Sequence, residues 1–121
     1  MSEAQLLTKV RGLAATLGWM AYHTHDSRRS DPGFPDLVLV RGPHVMFREL
    51  KTAKGRVTPE QAAWLLALTD AGEWAGLWRP SHLFDGSIRN EMSGPRDPAT
   101  NARLEVLARA RERKAVALRR Q

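Results

Sequence analysis

The chain has 121 residues, 42% of them hydrophobic; that suffices for one buried core but not two, and it excludes a disordered chain. Cysteine is absent, which excludes disulfides, thiolate zinc sites and a cysteine nucleophile, so any metal must use oxygen or imidazole ligands. The net charge of +6 is concentrated at one end: residues 99–121 hold 7 Lys/Arg and 2 Asp/Glu (+5), and residues 1–98 hold 12 and 11 (+1).

A nearly neutral body with a basic extension suits a polyanionic partner, with nucleic acid the first candidate, although a solvated helix that aids solubility fits the charge equally well. There is no basic-then-apolar leader and no apolar run of membrane-spanning length, so the expectation is a cytosolic protein with no membrane partner.

Ser2-Glu3-Ala4-Gln5 reads as a capping box opening a helix. Leu6, Val10, Leu13 and Leu17 follow at helical spacing, and Gly18 stops it. Glu3 lies at the helix N-terminus, where a negative charge is favoured. Residues 19–24 (WMAYHT) predict a short strand, and residues 26–35 (DSRRSDPGFP) a polar loop. Residues 37–41 and 45–50 predict a hairpin closed at Gly42-Pro43, followed by a basic turn over residues 52–57.

Thr58-Pro59-Glu60-Gln61 is a second capping box with proline at the first helical position. Trp64, Leu65, Leu68 and Ala71 carry that helix to Gly72. Residues 74–79 (WAGLWR) predict a fourth strand ended by Pro80, and residues 81–92 a weak helix or loop. Residues 94–101 read as a linker. Leu104, Leu107, Ala108, Ala115 and Leu118 then outline an amphipathic helix with a basic far face. The division expected is a domain over 1–92, a linker over 93–102 and a basic helix over 103–121. The domain is α/β, with a mixed sheet whose last strand follows a crossover helix.

Asp36, Glu49 and Lys51 carry the chemistry. Alternation places Glu49 and Lys51 on one strand face with Val45 and Phe47, and Asp36 on one face with Val38 and Val40. A hairpin loop of even length sets Asp36 against Glu49 or Lys51 on the same side, and predicts one apolar face with a polar cluster at its open end. Two carboxylates held within ~4 Å repel by roughly 4 kcal/mol at an effective dielectric of about 20. A shared proton, a cation or separation into water relieves that. The cation suited to hard oxygen ligands is Mg²⁺ or Mn²⁺, and Lys51 is placed to position a water or stabilise a phosphate. A salt-bridged strand end without chemistry is the plain alternative.

Taken in order, GFPDLVLVR, FRELKTAKGRVTPEQ and WRP resemble the PD-(D/E)XK nuclease superfamily, and specifically its VRR-NUC branch, small proteins of phages and bacteria. The similarity runs from Glu3 to about Ile88. It implies a restriction-endonuclease-like core of helix, three strands, helix and strand. It implies that Asp36 and Glu49 bind the metal, with the Leu50 carbonyl as a further ligand and Glu3 able to complete the shell. It implies that Lys51 is the catalytic lysine and that Gln61 points into the site in addition to capping its helix. Small members resemble Holliday-junction resolvases, dimers acting on branched DNA. The family often has an acidic residue shortly after Trp-Arg-Pro; this chain has Ser81-His82 there, and that position receives no role.

Ser27, Arg28, Arg29 and Ser30 would rim such a site and suit phosphate contacts, as would Lys54 and Arg56; a polar loop without function is the alternative for the first four. His23, His25 and Asp26 lack the further ligands of a hydrolytic zinc motif, and His44 at the hairpin tip receives no role. Trp64, Trp74 and Trp78 read as core. The expectation is therefore an Mg²⁺- or Mn²⁺-dependent endodeoxyribonuclease acting on branched DNA as a homodimer. The alternatives are a non-catalytic DNA-binding protein, or a nuclease subunit active only with a partner.

Overall fold

A computed structural model describes residues 1–24 and 31–96. The basic turn and both capping boxes fall within them; residues 25–30 and 97–121, with the expected phosphate-contacting residues Ser27 to Ser30 and the C-terminal helix, lie outside the described residues.

Helix α1 (Glu3–Thr16) is capped as its sequence predicts: Gln5 N donates to Ser2 Oγ at 3.1 Å, and Ser2 N donates to Gln5 Oε1 at 2.8 Å. It buries Leu6, Val10 and Ala14, one stripe at helical spacing. Gly18 then takes φ +84°, a left-handed turn that L side chains rarely adopt. The chain enters β1 (Met20–His23), followed by β2 (Leu37–Arg41) and β3 (His44–Leu50). Helix α2 (Pro59–Asp70) crosses over to β4 (Trp74–Trp78), and two short helices follow, α3 (Pro80–Phe84) and α4 (Ser87–Ser93).

The sheet order is β1-β2-β3-β4, with the first two pairings antiparallel and β3 parallel to β4. A parallel neighbour needs a crossover, and α2 is that crossover. This is an α/β fold with a mixed four-stranded sheet, in the order of a restriction-endonuclease-like core.

The hairpin loop has two residues, because Arg41 pairs with His44 and Val40 with Val45. Gly42 at φ +56° followed by proline is the residue pattern of a type II′ turn, whose twist matches the strands it joins. The even loop thus gives the expected pairing of Val38 with Phe47.

The expected single apolar face is corrected. Val40 and Val45 on that face are 36% and 37% exposed, while Leu37, Leu39, Met46 and Leu50 on the opposite face are buried. The runs are apolar on both sides, and the helices decide which side is sealed. One core packs Leu6, Val10 and Ala14 of α1 and Ile88 and Met92 of α4 against Leu37, Leu39, Met46, Trp74 and Trp78. On the other side Ala62, Leu65 and Leu66 of α2 cover Ala75 and Leu77, with Phe47 at the edge; among the described residues no helix covers the β1-β2 half.

The weak expectation for residues 81–92 is also sharpened. This segment is helical at Pro80–Phe84 and Ser87–Ser93, and it inserts a charge into the core. Arg48, fully buried, pairs with Glu91 at 3.4 Å and lies over the rings of Trp74 and Trp78 at 5.3 and 4.9 Å. Arg48 Nη1 donates to the Trp74 carbonyl at 2.9 Å, and Trp78 Nε1 donates to Glu91 Oε2 at 3.0 Å. The buried charges are tolerated because each is paired and hydrogen-bonded.

Candidate functional site

The β2–β3 register, extended by one residue, sets Asp36 directly opposite Glu49, since Leu37 pairs with Arg48. Both point to the α2 side of the sheet, the side that carries Phe47 and Val38. Asp36 Oδ2 accepts a hydrogen bond from the Leu50 amide at 2.9 Å, so the carboxylate is fixed across the strand end. An extended residue directs its N–H and C=O to the same strand edge, so the Leu50 carbonyl faces the Asp36 side as well.

Glu49 is 2% exposed. Burial, then the hydrogen bond and charge of Asp36, push its carboxyl up to about 10; Lys51 opposes this, and Glu3 adds a smaller upward push. Glu49 Oε2 is nevertheless buried with no hydrogen-bond partner. A buried acceptor without a partner costs about 1–3 kcal/mol, more if it is charged. The pair therefore holds one proton, on Glu49, while its Oε2 still lacks a partner.

Lys51 follows at the strand end, half-buried, its amide donating to the Trp78 carbonyl at 3.1 Å. The turn behind it is pinned by a residue that the sequence reading passed over. Arg79 Nη1 donates to the carbonyls of Thr52 and Gly55, both at 2.7 Å. Gly55 sits against the Lys51 stem, where an added Cβ would lie 3.5 Å from Lys51 Cδ and 2.9 Å from Thr52 Oγ1. The signal available was a guanidinium immediately after a strand, 27 and 24 positions from the carbonyls that it holds, too weak to find alone. Lys54 and Arg56 stand exposed on this turn, on the rim beside Lys51.

Gln61 opens α2, and its side chain is engaged in the cap: Thr58 N donates to Gln61 Oε1 at 2.9 Å. Only its Nε2 is left for any other task. Glu3 is exposed at the start of α1, near enough for its charge to act on Glu49. Among the described residues no three His, Asp or Glu side chains converge on one ion position, so the cluster is a pair with Glu3 outside it. His44 is exposed at the hairpin, Trp74 and Trp78 are core, and Trp64 is only half-buried.

The described end of the loop before Asp36 is held by close packing. Gly33, at φ +95°, runs so close to α2 that an added Cβ would lie 2.5 Å from the Glu60 carbonyl carbon. Phe34 then meets Trp64 edge to face at 5.2 Å and Phe47 at 6.2 Å. Glycine and phenylalanine together clamp the approach to Asp36.

The donor set suits a hard divalent cation. Two carboxylates and a main-chain carbonyl are oxygen ligands, and the orphaned Glu49 oxygen is the atom such an ion would partner. Among the described residues no helix is long and apolar enough to cross a membrane. The profile of the VRR-NUC domain matches residues 2–78, spanning Glu3, Asp36, Glu49, Lys51 and Gln61. Comparison with curated proteins and with solved structures gives no match.

Proposed function

The chain belongs to the VRR-NUC family, a nuclease family with DNA as substrate, and on that premise we propose that it is a divalent-metal-dependent endodeoxyribonuclease of PD-(D/E)XK type. The observation that carries this reading is the buried, unpartnered Glu49 oxygen beside Asp36 at the end of the β2-β3 hairpin. An acidic pair of this kind is stable when a cation lies against it.

Asp36, Glu49 and the Leu50 carbonyl would hold Mg²⁺ or Mn²⁺, with Glu3 as a more distant contributor. When bound, the ion supplies charge against the developing phosphate negative charge and lowers the pKa of water. The chain's own residues do the rest. Lys51 faces the same site and orients the attacking water while its ammonium attracts the scissile phosphate. Gln61 Nε2 donates a hydrogen bond towards that water, its Oε1 being held by the cap. Lys54 and Arg56 attract the flanking phosphates without reading sequence. Arg79 holds the turn that keeps Lys51 in place.

No base-reading module is present among the described residues, so selectivity rests on DNA shape, with branched DNA the favoured class. The support is the resemblance to small junction-resolving nucleases. Cutting two strands symmetrically calls for two such sites and therefore a homodimer.

The test is a cleavage panel of four-way junction, flap, linear duplex and single-stranded DNA with Mg²⁺, Mn²⁺ or EDTA. The reading expects cleavage with either ion, none in EDTA, and loss in Lys51→Ala with DNA binding retained. Cleavage indifferent to chelator and to Lys51→Ala would overturn it. Uniform inactivity relieved by a partner protein would assign the chain to a nuclease complex.

A further inference from the structure

Beside the carboxylate pair lies a cleft of about 280 Å³ lined by Tyr22, Thr24, Asp31, Phe34 and Trp64. Its place is fixed by the sheet. Thr24 N donates to the Asp36 carbonyl at 3.1 Å, and Tyr22 pairs with Val38. Thr24 and Tyr22 therefore share the sheet face of Asp36 and Glu49, one strand spacing of about 4.8 Å to the β1 side. Across this face the order is Thr24, Asp36, Glu49.

The lining is aromatic and unequally packed. Phe34 meets Trp64 and Phe47 edge to face, so one wall is backed by other rings. Tyr22 opposes it and is 64% exposed, an aromatic ring left in water with no core role. Asp31 stands exposed at the rim. Its charge repels a phosphate and accepts hydrogen bonds from an amino group.

Resting on the nuclease reading above, we infer that this cleft takes one unpaired nucleobase of the DNA, the base next to the scissile phosphate, between Tyr22 and the Phe34–Trp64 wall. An aromatic slot beside an acidic pair fits the flat face of a base and excludes its phosphate. The size suits one base and not a duplex. Asp31 accepts from the exocyclic amino group of guanine, cytosine or adenine, and thymine offers no such group. A paired base cannot enter, so the substrate class is DNA with an unpaired nucleotide at the cut: single strands, flaps and branch points. Pulling a base from a duplex costs a few kcal/mol, least where it is already unpaired.

The experiment measures binding and stacking without cleavage. Full-length protein in EDTA is titrated into fluorescent oligonucleotides: a blunt duplex, and the same duplex with one unpaired 2-aminopurine. The inference expects 2-aminopurine to be quenched by the wild type. Tyr22→Ala restores the fluorescence and weakens the unpaired-base probe by about ten-fold or more, the scale of one stacked base, while Tyr22→Phe behaves as the wild type. Asp31→Ala, which removes the acceptor, abolishes the preference for cytosine over thymine when either is the unpaired base. Unchanged quenching and affinity in both Tyr22→Ala and Asp31→Ala would overturn it, as would quenching of the blunt duplex equal to that of the unpaired probe. Cleavage with Mg²⁺ or Mn²⁺ is scored on parallel samples without EDTA. Intact cleavage with no Tyr22 effect refutes the cleft alone, and a Tyr22 effect without any cleavage refutes the nuclease reading alone.

Discussion

Asp36 accepts a hydrogen bond from the amide of Leu50, across the end of the β2-β3 hairpin, at 2.9 Å. One carboxylate oxygen thus replaces the next rung of the ladder and holds the Asp36 charge against Glu49. Asn at position 36 keeps an acceptor for that amide but removes the charge. Asp36→Asn should fold with little loss of stability, cut DNA at least 100-fold more slowly, and lower the Glu49 pKa, because both upward contributions of Asp36 weaken. Carboxyl chemical shifts followed against pH give the last quantity. A Glu49 titration unmoved by the change would refute the coupling.

Glu49 also makes stability depend on pH. Its carboxyl, normally at 4.5, is raised to about 10 in the fold. Between those values the unfolded chain has released the proton and the folded chain still holds it. The metal-free protein should therefore lose stability as pH rises from about 5 to about 10, and this contribution is fully present only at the acid end. Glu49→Gln removes the dependence, so the two unfolding curves should diverge with pH, the variant gaining on the wild type. Parallel curves from pH 5 to 9 would contradict the buried, protonated state.

Arg79 acts on Lys51 through the turn, holding the Thr52 and Gly55 carbonyls with one nitrogen. Arg79→Ala should lower the cleavage rate on the order of 10-fold and leave DNA affinity nearly unchanged, the signature of a misplaced group rather than a lost contact. Single-turnover rates at saturating protein separate the two. Equal losses of affinity and rate would show that Arg79 touches the DNA instead.

Glu91 balances Arg48 in the core, and it also accepts from Trp78 Nε1 at 3.0 Å. Glu91→Ala leaves a buried guanidinium and an indole N–H short of a partner, and should cost about 3–5 kcal/mol in denaturant unfolding. Glu91→Gln, which retains an acceptor for Trp78, should cost less. Near-wild-type stability of both would mean that the pair is replaceable in this core.

Most of this architecture was legible in residue order. Both capping boxes formed as written, because Ser2, Thr58 and their glutamines satisfy amide groups that any helix leaves open. The Gly42-Pro43 loop fixed the hairpin register, which brought Asp36 opposite Glu49. Less could be read where partners are distant in sequence. Alternation in LVLV is apolar on both faces, so it does not say that α1 and α4 seal one and α2 only part of the other. Glu91 carries no signal in the sequence, because its partner Arg48 is 43 positions away. Arg79 and Gly33 carry signals visible only once the turn and the Glu60 backbone lie against them.

The central claim is that Asp36 and Glu49 form a cation site. The most direct measurement is calorimetric titration of Mn²⁺ into the metal-free protein at pH 7 in buffers of different ionisation enthalpy, which reports both binding and protons released. The account predicts binding with release of about one proton per ion, since Glu49 must deprotonate to become a ligand, and it predicts that Glu49→Gln loses the proton release and most of the affinity. Binding of equal strength and proton count in Glu49→Gln, or no binding to the wild type, would contradict it.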